Sequence, residues 1–173
     1  PYGSYIHMTD QDVVDLWADW QTLPAEATPS QPHEVGFPFN IRRSIGVWKH
    51  LFVTDDWVVD TADTPELERG RYLVEALAHC GECHTPRSAL GGMDRANWLA
   101  GAPNPSGRGT IPDLTPDALA WSASDIAYYL ESGFTPDYDS AGGSMADVVT
   151  NFSQLSAEDR QAVAAYIKAV PGT

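Results

Sequence analysis

The chain has 173 residues, 43% hydrophobic and 20% charged, with six tryptophans; that is enough apolar material for a real core and excludes a disordered or fibrous chain. At roughly 150 residues per domain this is one domain with a small surplus; no run approaches the ~20 apolar residues of a membrane span, and no charged-then-apolar leader opens the sequence at Pro1. Ten basic residues face 24 acidic ones, a formal net charge of −14, with which nucleic-acid backbones and anionic lipid surfaces are expected to be repelled rather than recruited.

Residues 8–24 repeat residues 155–171 at a constant offset of 147. Met8-Thr9-Asp10-Gln11-Asp12 aligns with Leu155-Ser156-Ala157-Glu158-Asp159, and the register continues through Leu16/Val163, Ala18/Ala165, Trp20/Ile167, Leu23/Val170 and Pro24/Pro171. Both stretches read as terminal helices of one kind of domain. The next stretch contains the one local basic cluster, Arg42, Arg43, Lys49 and His50. Trp17, Trp20, Trp48, Trp57 and Trp98 are expected to pack in the core or between domains.

Residues 64–79, TPELERGRYLVEALAH, predict a helix. Thr64 suits the N-cap, Pro65 the first helical position, and Glu66 and Glu68 the positive end of the dipole, with Leu67, Val74 and Leu77 on an apolar face. The chain's two cysteines follow at once, as Cys80-Gly81-Glu82-Cys83-His84. The C-x-x-C-H pattern marks covalent attachment of a c-type haem. Two thiols one helical turn apart can each add to a vinyl group on one porphyrin edge, and the adjoining imidazole becomes the proximal iron ligand. A thioredoxin-like redox pair would want a strand-to-helix junction in an alternating α/β chain. Structural zinc would need two further ligands where His7, His33, His50 and His79 are scattered. A plain disulfide is the remaining alternative.

Residues 86–117 are rich in Gly, Pro and Asn and predict a long loop that a bound group would organise. Residues 124–131 predict a helix capped by Ser124 and stopped by Gly133, and residues 156–169 a longer one. In the longer helix Ser156 and Asp159 resemble a capping box, and Val163, Tyr166, Ile167 and Val170 form the buried face. A sixth iron ligand is sought among Met8, Met93, Met145 and the other histidines. Met145, in Ala141-Gly142-Gly143-Ser144-Met145, is preferred, because glycines let the backbone approach a porphyrin and a thioether completes low-spin iron. Met93 is only nine residues beyond His84 and ranks second.

Cys80 through Arg87, Leu99-Ala100-Gly101, Ile111-Pro112-Asp113-Leu114-Thr115-Pro116-Asp117, Trp121-Ser122 and Gly142 through Val149 together resemble a haem domain of multihaem cytochrome c subunits. Such subunits serve periplasmic quinoprotein alcohol dehydrogenases, flavoprotein gluconate-type dehydrogenases and some molybdenum hydroxylases. The resemblance covers about residues 65–171. It implies an all-α, class I cytochrome c domain over residues 64–173, with one haem c held by Cys80 and Cys83 and with His84 and Met145 as axial ligands. It further implies that the Pro112 loop orients the proximal imidazole through a carbonyl. Trp121 would line the haem pocket, and Arg87 and Arg108 would either meet haem propionates or lie at the surface. Asp113 departs from the family pattern, which places Asn after that proline. Residues 1–24 would be the terminal helix of a preceding haem domain missing from this chain, and 25–63 the linker between the two. The function implied is electron transfer rather than catalysis: exported to the periplasm, where any membrane association would be through a partner, the protein would take electrons from a dehydrogenase and pass them to a quinone, a cytochrome or a terminal oxidase. Without a Met145 bond, a five-coordinate iron would instead suit peroxidase-like chemistry or gas binding.

Overall fold

A computed structural model describes residues 2–172; Pro1 and Thr173, the outer limits of the first and last expected segments, lie outside the described residues. In chain order the helices are α1 (Asp10–Trp20), α2 (Arg42–Phe52), α3 (Pro65–Arg71), α4 (Gly81–His84), α5 (Ala123–Ser132), α6 (Ser144–Phe152) and α7 (Ala157–Ala169). One antiparallel pair of two-residue strands, β1 (Ala102–Pro103) and β2 (Thr110–Ile111), interrupts the long loop.

The core is built where α7 crosses α3 and α5. Thr64 caps α3 as expected, its hydroxyl accepting from the Leu67 amide at 3.2 Å. The crossing is close because Gly70 carries no side chain: a Cβ there would lie 2.1 Å from the Ala162 carbonyl oxygen and 2.8 Å from the Tyr166 Cβ. Around this contact Val74, Leu99, Val163 and Tyr166 are completely enclosed. Each of the three aliphatic side chains contributes on the order of 1.5–3 kcal/mol by leaving water.

Three expected boundaries shift for local reasons. The helix over 64–79 does not stay α-helical: from Tyr72 to Leu77 it widens into a π-helical stretch, in which the Ala78 amide donates to the Leu73 carbonyl at 2.8 Å. It ends at Leu77, two residues short of the expected end, and His79 beyond it turns left-handed at φ +43°. The cap of α5 is Ser122 rather than Ser124, because Ser122 and Asp125 form a reciprocal capping box; Gly133, at φ +77°, stops the helix as expected. The Ser156 hydroxyl accepts from the Asp159 amide at 3.0 Å. The Asp159 carboxylate, however, takes a bidentate pair from Arg69 at 2.7 and 2.9 Å instead of closing a box.

The N-terminal third differs more. The stretch expected to be an extended linker contains α2, whose Trp48 and Phe52 rest on the loop after the cysteine motif: the Trp48 indole donates to the Leu90 carbonyl at 2.8 Å, and the Phe52 ring fills the space beside Gly92. α1 forms where the repeat places a helix, with Thr9 capping Asp12 as Ser156 caps Asp159. Its N-terminus is tied to the core through Tyr72, which accepts from the Thr9 amide and bonds the Asp12 carboxylate. Neither α1 nor α2 buries a residue. Of the tryptophans expected to pack, only Trp98 is enclosed; Trp17 and Trp20 are 61% and 56% exposed, a contrast with their α7 counterparts Ala164 and Ile167, which are buried.

Candidate haem-attachment site

The left-handed turn at His79 reverses the chain into the single turn of α4, with Cys80 at its N-cap. The Cys83 and His84 amides both donate to the Cys80 carbonyl, at 3.2 and 3.0 Å, so the two sulfurs and the imidazole project from one tight turn. Gly81 is required here: a Cβ would stand 2.1 Å from the Trp98 ring, which lies directly over the turn.

Trp98 is held in turn by a buried polar chain. Its indole N–H donates to the Tyr166 hydroxyl at 3.1 Å, and that hydroxyl donates to Glu75 Oε1 at 2.5 Å. The Glu75 carboxylate also accepts from the Val58 and Val59 amides, at 2.6 and 3.2 Å. The buried carboxylate therefore joins α7, the π-helical stretch and the end of the linker behind the cysteine turn. Burial, with the neighbouring Glu75 charge, pushes the Tyr166 hydroxyl well above its ordinary pKa, so it remains a donor.

His84 is buried, and its Nδ1 stands 2.8 Å from the Pro112 carbonyl oxygen. A carbonyl can only accept, so Nδ1 carries the proton and Nε2 keeps its lone pair. Burial lowers the imidazole pKa, although the Pro112 bond acts in the opposite direction. The neutral ring is thus held in the tautomer that binds a metal through Nε2. Two framework bonds fix the opposing loop: the Gly101 amide donates to the His84 carbonyl at 2.7 Å and the Leu99 amide to the Thr85 hydroxyl at 3.0 Å. Asp113, the departure from the family pattern, uses a carboxylate oxygen to accept from the Thr115 amide at 2.7 Å and so shapes the same loop.

Cys80 and Cys83 are not joined to each other by a disulfide; Cys83 is exposed and Cys80 half-buried against the core. Burial pushes the Cys80 thiol up to about 12. A redox-active pair needs a lowered thiol pKa, so this environment opposes the thioredoxin-like alternative. The donor set fits a covalently held haem: two thiols on one turn, a neutral imidazole with one nitrogen bonded away, and a flat indole enclosing the turn from behind.

The other expected site residues are distributed around this centre. Met145 lies half-buried in the first turn of α6, directly after Gly143, whose φ of +57° starts the helix. The segment expected as a loop between two helices is thus itself a helical start. Trp121 is half-buried and packs at a tilt on Tyr129, ring centroids 5.2 Å apart. The Arg87 guanidinium is engaged by Glu82, at 2.5 Å, and by the Gly91 carbonyl, at 3.0 Å, within the loop after the motif. Met93 lies with Trp48, Phe52 and Trp98 in the wall of a cavity of about 140 Å³ under the N-terminal segment. Sequence reasoning did not single out Glu75. Its only signal was a carboxylate among Leu73, Val74 and Ala76, on a stretch that must be buried.

Residues 67–171 match the cytochrome c family. The chain belongs to that family. Membership of the family implies a covalently bound haem c. Over 99% of its length the chain is 61% identical to a diheme cytochrome c-type protein of Cereibacter sphaeroides, covering 58% of that protein. It is 38% identical to the fructose dehydrogenase cytochrome subunit of Gluconobacter japonicus, covering 36% of it, and 34% identical to the gluconate 2-dehydrogenase cytochrome c subunit of Pantoea cypripedii, covering 42%. The cytochrome thus spans between about a third and three-fifths of the length of these relatives.

Proposed function

We propose that this cytochrome is a one-electron carrier holding a single haem through Cys80 and Cys83, with His84 and Met145 as axial ligands. The observation that carries the reading is the His84 Nδ1–Pro112 bond, which leaves Nε2 bare and directed by the fold. A thioether opposite a neutral imidazole fills both axial positions of iron and favours electron transfer over substrate binding. The protein's share of this chemistry is to fix the imidazole, enclose the porphyrin and exclude water; the haem supplies the redox couple. We further propose that the donor is a periplasmic dehydrogenase and the acceptor a quinone, a cytochrome or a terminal oxidase. The subunit names of the fructose and gluconate dehydrogenase relatives support a dehydrogenase donor.

The same reading assigns residues 1–24 to a preceding haem domain, residues 25–63 to the linker and residues 64–173 to the domain described above. Matched caps at Thr9 and Ser156 support it, as does the exposure of α1 at positions whose α7 counterparts are buried. The diheme nature of the Cereibacter relative is consistent with it. The test of ligation is the absorption spectrum of the haem-loaded protein and its Met145→Leu variant. A low-spin spectrum with a methionine-ligation band in the oxidised form, lost in the variant, is expected. Retention of that band in the variant, or a high-spin parent spectrum that shifts with carbon monoxide, would overturn the assignment and favour a five-coordinate, peroxidase-like or gas-binding haem.

A further inference from the structure

The basic cluster of the sequence is absorbed neither by the haem site nor by the core. None of the 24 acidic residues falls within residues 35–53, whereas three of the ten lysines and arginines do. In the structure this stretch is α2 and the turn before it. At 100° per residue, Lys49, Arg42, His50 and Arg43 occupy one side of the helix, and Val47, Leu51, Trp48, Phe52 and Ile45 the other. The apolar side is divided between two surroundings. Trp48 and Phe52 anchor the helix to the loop after the cysteine turn. Ile45, Val47 and Leu51 remain 45–63% exposed, and Phe37 and Phe39 just before the helix are 80% and 74% exposed. Leu90, at the tip of the loop that receives Trp48, is 68% exposed and extends the patch toward the haem domain.

We infer that α2 is an interfacial helix that rests this cytochrome on an anionic lipid surface. Its composition is that of helices lying in the headgroup plane: arginine and lysine on one side, phenylalanine, leucine and tryptophan on the other. Charge complementarity selects the occupant, since the cluster is positive within a chain of net charge −14. A second copy of the chain is disfavoured by that net charge. Against the repulsion expected for the whole molecule, residues 35–53 themselves carry no acid, although Glu34, Asp55 and Asp56 flank them, and charges farther from the patch than the ~8–10 Å Debye length are screened. The contact made by α2 itself lies in the headgroup plane; among the described residues no helix is long and apolar enough to cross a membrane. It would hold the cysteine turn, one loop away from α2, near the plane in which lipid-soluble electron carriers move.

Flotation of the haem-loaded chain with vesicles tests this. The cytochrome is expected to float with vesicles of phosphatidylglycerol and phosphatidylcholine at low salt, and to dissociate in pure phosphatidylcholine or at high salt. The R42E/R43E/K49E variant should lose about tenfold or more of the bound fraction, and V47S/L51S should also bind less. These side chains are exposed, so an unchanged haem spectrum and far-UV dichroism would show that the variants fold. Charge reversal at the exposed Arg108, outside the patch, should leave binding intact. No flotation with anionic vesicles, flotation insensitive to the α2 variants, or α2-dependent self-association without lipid binding would each overturn the inference. None of these results bears on haem ligation, which the spectrum reads separately.

Discussion

Gly70→Ala tests the crossing of α3 and α7. In an isolated helix this substitution is favourable by about 1 kcal/mol, because alanine is the better helix former. In the fold the added methyl meets the Ala162 carbonyl oxygen at 2.1 Å and the Ala162 carbonyl carbon and Tyr166 Cβ at 2.8 Å each. The closest obstacle is backbone hydrogen-bonded within α7, so no side-chain rotation relieves the clash and the two helices must separate. Overpacking costs about 1–3 kcal/mol, and an overlap of more than an ångström against backbone belongs at the upper end. The net loss is therefore about 2 kcal/mol, which at about 2.1 cal/mol/K per residue over a domain of about 110 residues lowers Tm by roughly 9 °C. Thermal unfolding of the haem-loaded protein, followed by far-UV circular dichroism, measures it. An unchanged or raised Tm would refute the close crossing, because helix propensity alone would then govern the site.

Three further substitutions probe separate parts of the structure. Ser156→Ala removes the α7 cap and should cost about 1 kcal/mol of global stability in a urea titration, whereas Thr9→Ala, capping a helix with no buried residue, should reduce helicity while leaving the midpoint nearly unchanged. Tyr166→Phe strips a donor from buried Glu75 and an acceptor from Trp98, with an expected cost of about 1–3 kcal/mol; a double-mutant cycle with Glu75→Gln should show coupling between the two. The Arg69 guanidinium holds the Asp159 carboxyl below the usual carboxylate range. The pair therefore stabilises the fold above the unfolded value near 4, and its contribution is lost as pH falls through the lower folded value. Because Arg69 is half-exposed, Arg69→Gln should cost only about 0.2–1 kcal/mol at neutral pH and match the parent in strong acid.

What could be read from the residues was governed by local chemistry. The cysteine motif, the Thr64 cap before Pro65, the Gly133 stop and the Ser156 cap each depend on neighbours within a few positions, and each stands where the sequence places it. The offset of 147 residues likewise predicted a helix at α1. α2 escaped because it has no capping side chain at Ile41 and a glycine in its middle, leaving only its amphipathic period as a signal. α6 was hidden because Gly142-Gly143 read as a loop extending through Met145, whereas Gly143 ends the loop and starts the helix. The Glu75–Tyr166–Trp98 chain lay beyond local reading altogether. Its partners are 91 and 68 residues apart, and only the α3–α7 crossing brings them together. At the haem site the same division holds: His84 is legible from its motif, but the carbonyl that fixes its tautomer comes from Pro112, 28 residues on.

The central claim, one haem joined covalently to Cys80 and Cys83, is tested most directly by the intact mass of the chain produced with c-type haem maturation and then denatured. The account predicts a mass greater by a single haem, retained after acid and organic extraction and abolished in C80S/C83S. A denatured chain carrying no haem, or one whose haem survives loss of both cysteines, would contradict it.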